Sequence, residues 1–142
     1  DLMAPEQELY DYFYAKCLEI RPDATYDYLP GEDEKVDYPI ICVGNVQMVS
    51  TATKLCVGGT YTINIDVWGS KRQRLEVSDI TEKVYSLIKP GIISTDNYRF
   101  YASFNAQQKQ MLLDTSVPNT IYHRGALDRF NTRKDMIRWQ MN

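Results

Sequence analysis

Tyr61-Thr62-Ile63-Asn64-Ile65-Asp66-Val67-Trp68-Gly69-Ser70 decides the fold. Tyr61, Ile63, Ile65 and Val67 alternate with Thr62, Asn64 and Asp66, and Thr60 extends the polar set. Side chains of a strand point to opposite faces at a period of two. One face of this strand is therefore buried and the other wetter. Gly69-Ser70 ends it, and Ser70 with Gln73 matches a helix capping box. Val77, Ile80, Val84, Leu87 and Ile88 then form one apolar stripe, stopped by Lys89-Pro90-Gly91. The spacing predicts a helix over 71–89.

Upstream, Tyr38–Val49 is apolar and rich in β-branched residues, which predicts a strand. Ser50 to Lys54 reads as a flexible link, and Gly58-Gly59 as a hairpin turn or bend. Residues 22–39 form a long polar connection carrying Asp23, Asp27, Glu32, Asp33, Glu34 and Asp37 against Lys35 alone. Before it, Pro5, Glu6 and Glu8 suit a helix start. Leu9, Phe13, Cys17 and Ile20 recur at helical spacing, and Arg21-Pro22 ends the pattern. The spacing predicts an amphipathic helix over 5–20.

Downstream the chain is β-rich. Tyr98, Phe100, Ala102 and Phe104 alternate with Arg99, Tyr101 and Ser103. Met111–Asp114 reads as a short strand, with a turn or short helix at Gln107–Gln110 as the alternative. Ile121–Phe130 and Met136–Met141 read as closing strands separated by Asn131-Thr132-Arg133-Lys134. The sum is one α+β domain over 1–142, mostly antiparallel sheet with two main helices on one face. The opposite face, dotted with Tyr, Thr, Asn and Arg, requires water or a partner.

A chain of 142 residues with 44% hydrophobic and 25% charged residues fits one compact domain. Its net charge of −3 argues against gripping a nucleic-acid backbone, which takes a basic surface. Surrounding DNA without gripping it is compatible. No apolar run reaches the about 18 residues of a membrane span, so no membrane partner is expected. Asp1–Pro5 lacks the basic and apolar regions of a signal peptide.

Cys17, Cys42 and Cys56 are odd in number and lack metal-ligand spacing, so they read as reduced thiols of an intracellular setting. His123 lies in no nucleophile motif, and Gly-x-Ser-x-Gly is absent. No metal, cofactor or catalytic residues are expected. A cation site at Glu32-Asp33-Glu34 lacks the pattern of a calcium loop. Lys71, Arg72 and Arg74 place cations at a helix N-terminus, against its dipole. A solvated helix face is the first reading of this cluster, and the mismatch with the dipole points to contact with an acidic partner surface as the second.

The segment Pro39 to Ile88 resembles the tail-completion proteins of tailed phages, the tail-terminator or tail-to-head joining family of siphophages. The resemblance rests on Ile41-Cys42-Val43-Gly44, the Ser/Thr-rich link, Tyr61 through Trp68-Gly69-Ser70, and the helix from Arg74 to Ile88. Tyr122-His123-Arg124 through Arg138-Trp139 suits that family's C-terminal β-region. The acidic loop 22–38 and the segment after Arg133 have no counterpart in the pattern.

The resemblance implies a virion structural protein rather than an enzyme: a hexameric ring that caps the tail tube, ends its polymerisation and joins a head connector, with DNA as passing cargo. Its partners would be copies of itself, the major tail-tube protein and a head-completion protein. Its place would be the virion neck, after assembly in the host cytoplasm. The residues expected at such interfaces fall in three groups. Gln47, Thr51, Thr53 and Lys54 lie on an arm over 47–58. Lys71, Arg72 and Arg74 form the basic cluster. Glu32, Asp33, Glu34 and Asp37 offer the acidic complement on the next subunit. A head-side connector or stopper is the neighbouring alternative. A small enzyme using Cys42 or Cys56 with His123, and a regulatory binding module, are the others.

Overall fold

A computed structural model describes residues 3–31, 33–52, 57–88, 91–102, 108–114 and 121–133. The elements are α1 (Pro5–Ile20), β1 (Thr25–Tyr26), β2 (Ile40–Ala52), β3 (Val57–Ser70), α2 (Arg74–Tyr85), β4 (Ile92–Ser94), β5 (Arg99–Ala102), β6 (Gln108–Asp114) and β7 (Ile121–Arg133). A 3-10 turn, Lys71–Gln73, leads into α2, and another, Ser86–Ile88, follows it. The fold is α+β, as the order of the elements in the sequence implies.

The seven strands form one sheet in the order β1-β2-β3-β7-β5-β4, with β6 also on β7. Every pairing is antiparallel except the short parallel contact of β1 with β2. Thr60 to Val67 of β3 run opposite Asn131 to Arg124 of β7. On its other flank β7 takes β6 against residues 121–127 and β5 against Phe130 and Asn131.

The alternation in β3 is real. Tyr61, Ile63, Ile65 and Val67 are buried, and Ile41 and Val43 of β2 lie beside them. Both helices pack on this face. α1 contributes Leu9, Phe13 and Cys17, spaced by four, and α2 contributes Val77, Ile80 and Val84. Fully burying an aliphatic or aromatic side chain is worth about 1.5–3 kcal/mol, and Phe13, Leu9 and Ile63, among the largest fully buried side chains, lie in this layer.

Local chemistry sets the helix ends. The carbonyl of Ala4 accepts the N–H groups of Gln7 and Glu8 ahead of the first full turn of α1. At the far end Thr25 Oγ1 donates toward the Arg21 and Cys17 carbonyls at 2.8 and 3.1 Å. The Cys17 carbonyl also takes the Arg21 N–H at 2.9 Å, and the Arg21 carbonyl takes the Ala24 N–H at 3.2 Å, so the hydroxyl reinforces the closing turn of α1. At α2 the capping box forms as expected: the Ser70 N–H donates to Gln73 Oε1 at 2.9 Å. Gly69 is required there. A Cβ at that position would overlap Val77 Cγ2, so only glycine lets the strand end lie against the helix. Beyond α2, Gly91 has φ 82°, a left-handed conformation that side chains resist.

Four expectations need correction. Gly58 and Gly59 are not a turn but lie inside β3, opposite Thr51 and Ser50 on one side and Arg133 and Thr132 on the other. Ladders on both flanks hold the strand through them. Ser50 to Ala52 belong to β2 for the same reason. Asn131, Thr132 and Arg133 do not separate two strands; they extend β7 because Thr60, Gly59 and Gly58 pair with them. The 22–39 connection holds a strand, β1. Phe104 to Gln107, the link residues 53–54 and the Met136–Met141 strand lie outside the described residues.

Candidate interaction surfaces

The acidic connection is not simply a solvated loop. Ala24, Ile40 and Cys42 form a second, smaller core, with Tyr26, Val36, Tyr38 and Trp68 packed against it. Ile40 and Cys42 alternate with Ile41 and Val43, so this cluster lies on the face of the sheet away from the helices. The chain thus covers one end of its own second face.

Arg21 fixes the covering segment. Its Nε donates to the Pro39 carbonyl and its Nη2 to the Asp37 carbonyl, both at 2.9 Å. Nη2 also lies 3.6 Å from the Asp37 carboxylate. Asp37 therefore has an ion-pair partner within its own chain. Gln73 adds a second tie, with Nε2 donating to the Tyr38 carbonyl at 2.8 Å.

What remains outward-facing is specific. Asp33 and Glu34 are exposed, and Glu34 accepts a hydrogen bond from the Tyr28 hydroxyl at 3.0 Å. That bond pushes the Tyr28 phenol up from its ordinary value. The Tyr28 ring stands edge-on to Tyr26, with centroids 5.6 Å apart. Tyr28 is 51% exposed and Leu29 60%. Glu32 lies outside the described residues.

At the start of α2, Arg72 and Arg74 are exposed, and no ion pair joins either to a described residue. Nothing is described of the Lys71 side chain. Leu75 follows at 84% exposure. Sequence reasoning missed Leu75, Tyr28 and Leu29. The usable signal was that Leu75 lies off the stripe that starts at Val77.

The expected arm over 47–58 is a paired ribbon as far as it is described. Gln47 stands opposite Thr62, and Thr51 opposite Gly58. Gln47 is exposed. Thr53 and Lys54 lie outside the described residues.

The residues weighed for catalysis are described in part. Cys17 and Cys42 are buried free thiols, and desolvation pushes each up to about 12. A thiol so placed keeps its proton at neutral pH and is a poor nucleophile. His123 sits in β7 in register with Trp68 and Leu112. Cys56 lies outside the described residues. A groove of about 610 Å³ opens between α1 and the 94–97 turn, lined by Glu8, Asp11, Tyr12 and Asp96 among others. Its Glu8 carboxylate is already engaged by Asn97. Among the described residues no group of three His, Cys, Asp or Glu is arranged to hold a metal ion. No described helix is long and apolar enough to cross a membrane.

No family model matches the chain, and no curated protein matches it in sequence. In fold it is similar to a chain in the virion of a native gene transfer agent particle. The TM-score is 0.55 at 10% identity, over 92% of this chain and 95% of that one. At that identity the likeness is one of fold.

Proposed function

We propose that this protein is a structural component of a phage-like particle, a non-enzymatic subunit that closes into a hexameric ring at the head–tail junction. The observation that carries the reading is the fold shared, over nearly the full length of both chains, with a chain of a gene transfer agent virion. The resemblance of Pro39 to Ile88 to tail-terminator proteins narrows the role. The ring caps the tail tube, stops its growth and presents a surface to a head connector.

Three features support assembly over chemistry. Among the described residues, the chain's own cover on the helix-free face of the sheet is the cluster around Trp68. Opposite charges are segregated on the acidic loop and the α2 start, which fixes register between subunits. Cys42 is held as a protonated thiol. A net charge of −3 suits a lumen through which DNA slides, since a basic wall would retain it.

Co-assembly tests the role. The purified protein is mixed with isolated tail tubes and, separately, with connector-bearing heads that lack tails. It should pellet with the tubes and arrest their elongation. Pelleting with heads alone overturns the terminator role in favour of a connector, and binding to neither overturns the virion reading.

A further inference from the structure

We infer that Leu75 anchors a head-to-tail contact between two copies of this chain, seated on Tyr28 and Leu29 of the next copy with Arg72 and Arg74 facing its Asp33 and Glu34. The inference rests on the ring reading above and names the surfaces that close the ring.

Two patches carry it. On α2, Leu75 is the most exposed large apolar side chain among the described residues, at 84%. A scattered exposed leucine needs no explanation. This one stands beside two exposed arginines that no described carboxylate pairs. On the acidic loop, Tyr28 and Leu29 are adjacent and more than half exposed, and Asp33 and Glu34 flank them. Tyr28 is set in place by its hydrogen bond to Glu34 and its edge contact with Tyr26. One patch is thus apolar with a basic rim, and the other apolar with an acidic rim. Desolvated aromatic and aliphatic anchors supply affinity at such contacts, while rim charges select the partner.

Geometry then sets the symmetry. Either patch meeting its own copy would bring like charges together. The contact is therefore between unlike patches, which either pair reciprocally in a two-fold dimer or run head to tail into a ring or filament, and the ring reading selects the head-to-tail form. Within the chain no ion pair joins Arg72 or Arg74 to Asp33 or Glu34. α2 packs on the face of Ile63, Ile65 and Val67, whereas Tyr28 leans on Tyr26, which packs in the cluster on the opposite face. Asp37 is left out of the rim because Arg21 holds it.

Charge exchange is the test, read by sedimentation of the purified chain alone and on tail tubes. Arg72→Glu/Arg74→Glu makes both patches acidic; Asp33→Lys/Glu34→Lys makes both basic. Each variant should lose the wild-type oligomer and sediment as a single chain; Arg72→Glu/Arg74→Glu should keep its melting temperature, and Asp33→Lys/Glu34→Lys should lower it only slightly, through loss of the exposed Tyr28–Glu34 hydrogen bond. An equimolar mixture should regain the oligomer with the two variants in equal amounts, since they alternate around a ring of even number. Misfolded variants could not do this. Leu75→Asp should lose the oligomer without rescue by either. Retention of the wild-type oligomer by these variants, or a mixture that stays as single chains, overturns the surfaces and leaves the ring standing. A wild-type chain that remains single under both conditions overturns the ring itself.

Discussion

Glu8 and Asn97 are 89 positions apart and share two hydrogen bonds. The Asn97 backbone N–H donates to Glu8 Oε1 at 3.1 Å, and its Nδ2 donates to Oε2 at 2.6 Å. Glu8 is only 7% exposed, so its carboxylate is held where water scarcely reaches. The pair fastens the first turn of α1 to the turn between β4 and β5. The Tyr98 hydroxyl adds to the tie, donating to the Met3 carbonyl at 2.8 Å.

Removing one side of that pair leaves buried polar groups unmatched. Glu8→Ala should lower stability by about 2 kcal/mol, the usual cost of losing hydrogen bonds to a charged group. Asn97→Ala should cost less, because the Glu8 carboxylate still has the backbone N–H. Chemical denaturation of the three proteins measures the difference.

The two-faced character of β3 is testable by position. Ile63→Ala, on the helix side, should cost about 2–5 kcal/mol through lost burial and a cavity. Asn64→Ala, the next residue on the open side, should change stability by no more than about 0.5 kcal/mol. Equal effects in thermal unfolding would contradict the assignment of faces.

Gly69→Ala should destabilise by about 1–3 kcal/mol, since the added methyl presses on Val77. Val77→Ala in the same chain should recover part of that loss by removing the colliding methyl. The coupling between the two changes, read from a double-mutant cycle, should therefore be clearly non-additive.

Burial of Cys17 and Cys42 has a pH signature. Each thiol is pushed from 9.0 up to about 12 in the folded chain. Below pH 9 both folded and unfolded chains keep these protons, and the contribution to stability is complete. Between pH 9 and about 12 the unfolded chain releases protons that the folded chain retains, so stability falls as pH rises. In a Cys56→Ser background, neither thiol should react with an alkylating reagent at pH 8 until the protein is unfolded. The melting temperature should drop between pH 9 and 11.

Local patterns made the frame legible. The apolar spacing of Leu9, Phe13 and Cys17, the Ser70–Gln73 capping box and the alternation from Tyr61 to Val67 each predict an element that the structure contains. Their signals come from nearest neighbours in sequence, which is where periodicity and capping act. Long-range pairing was hidden. β1 is two residues long and exists through Ile41 and Cys42 of β2. Gly58 and Gly59 read as a turn because one of the two ladders that hold them in β3, to Thr132 and Arg133, comes from over seventy positions away. The same holds for the candidate surfaces. Charge marked Asp33, Glu34, Arg72 and Arg74 from the sequence. That Arg21 would occupy Asp37, and that Tyr28, Leu29 and Leu75 would stand outward, depends on how the loop and α2 pack.

Electron microscopy of the purified chain bound to tail-tube ends reaches the central claim most directly. The account predicts class averages with a single closed ring of six subunits, coaxial with the tube and open at its centre. Bare tube ends beside unassociated single subunits would contradict it.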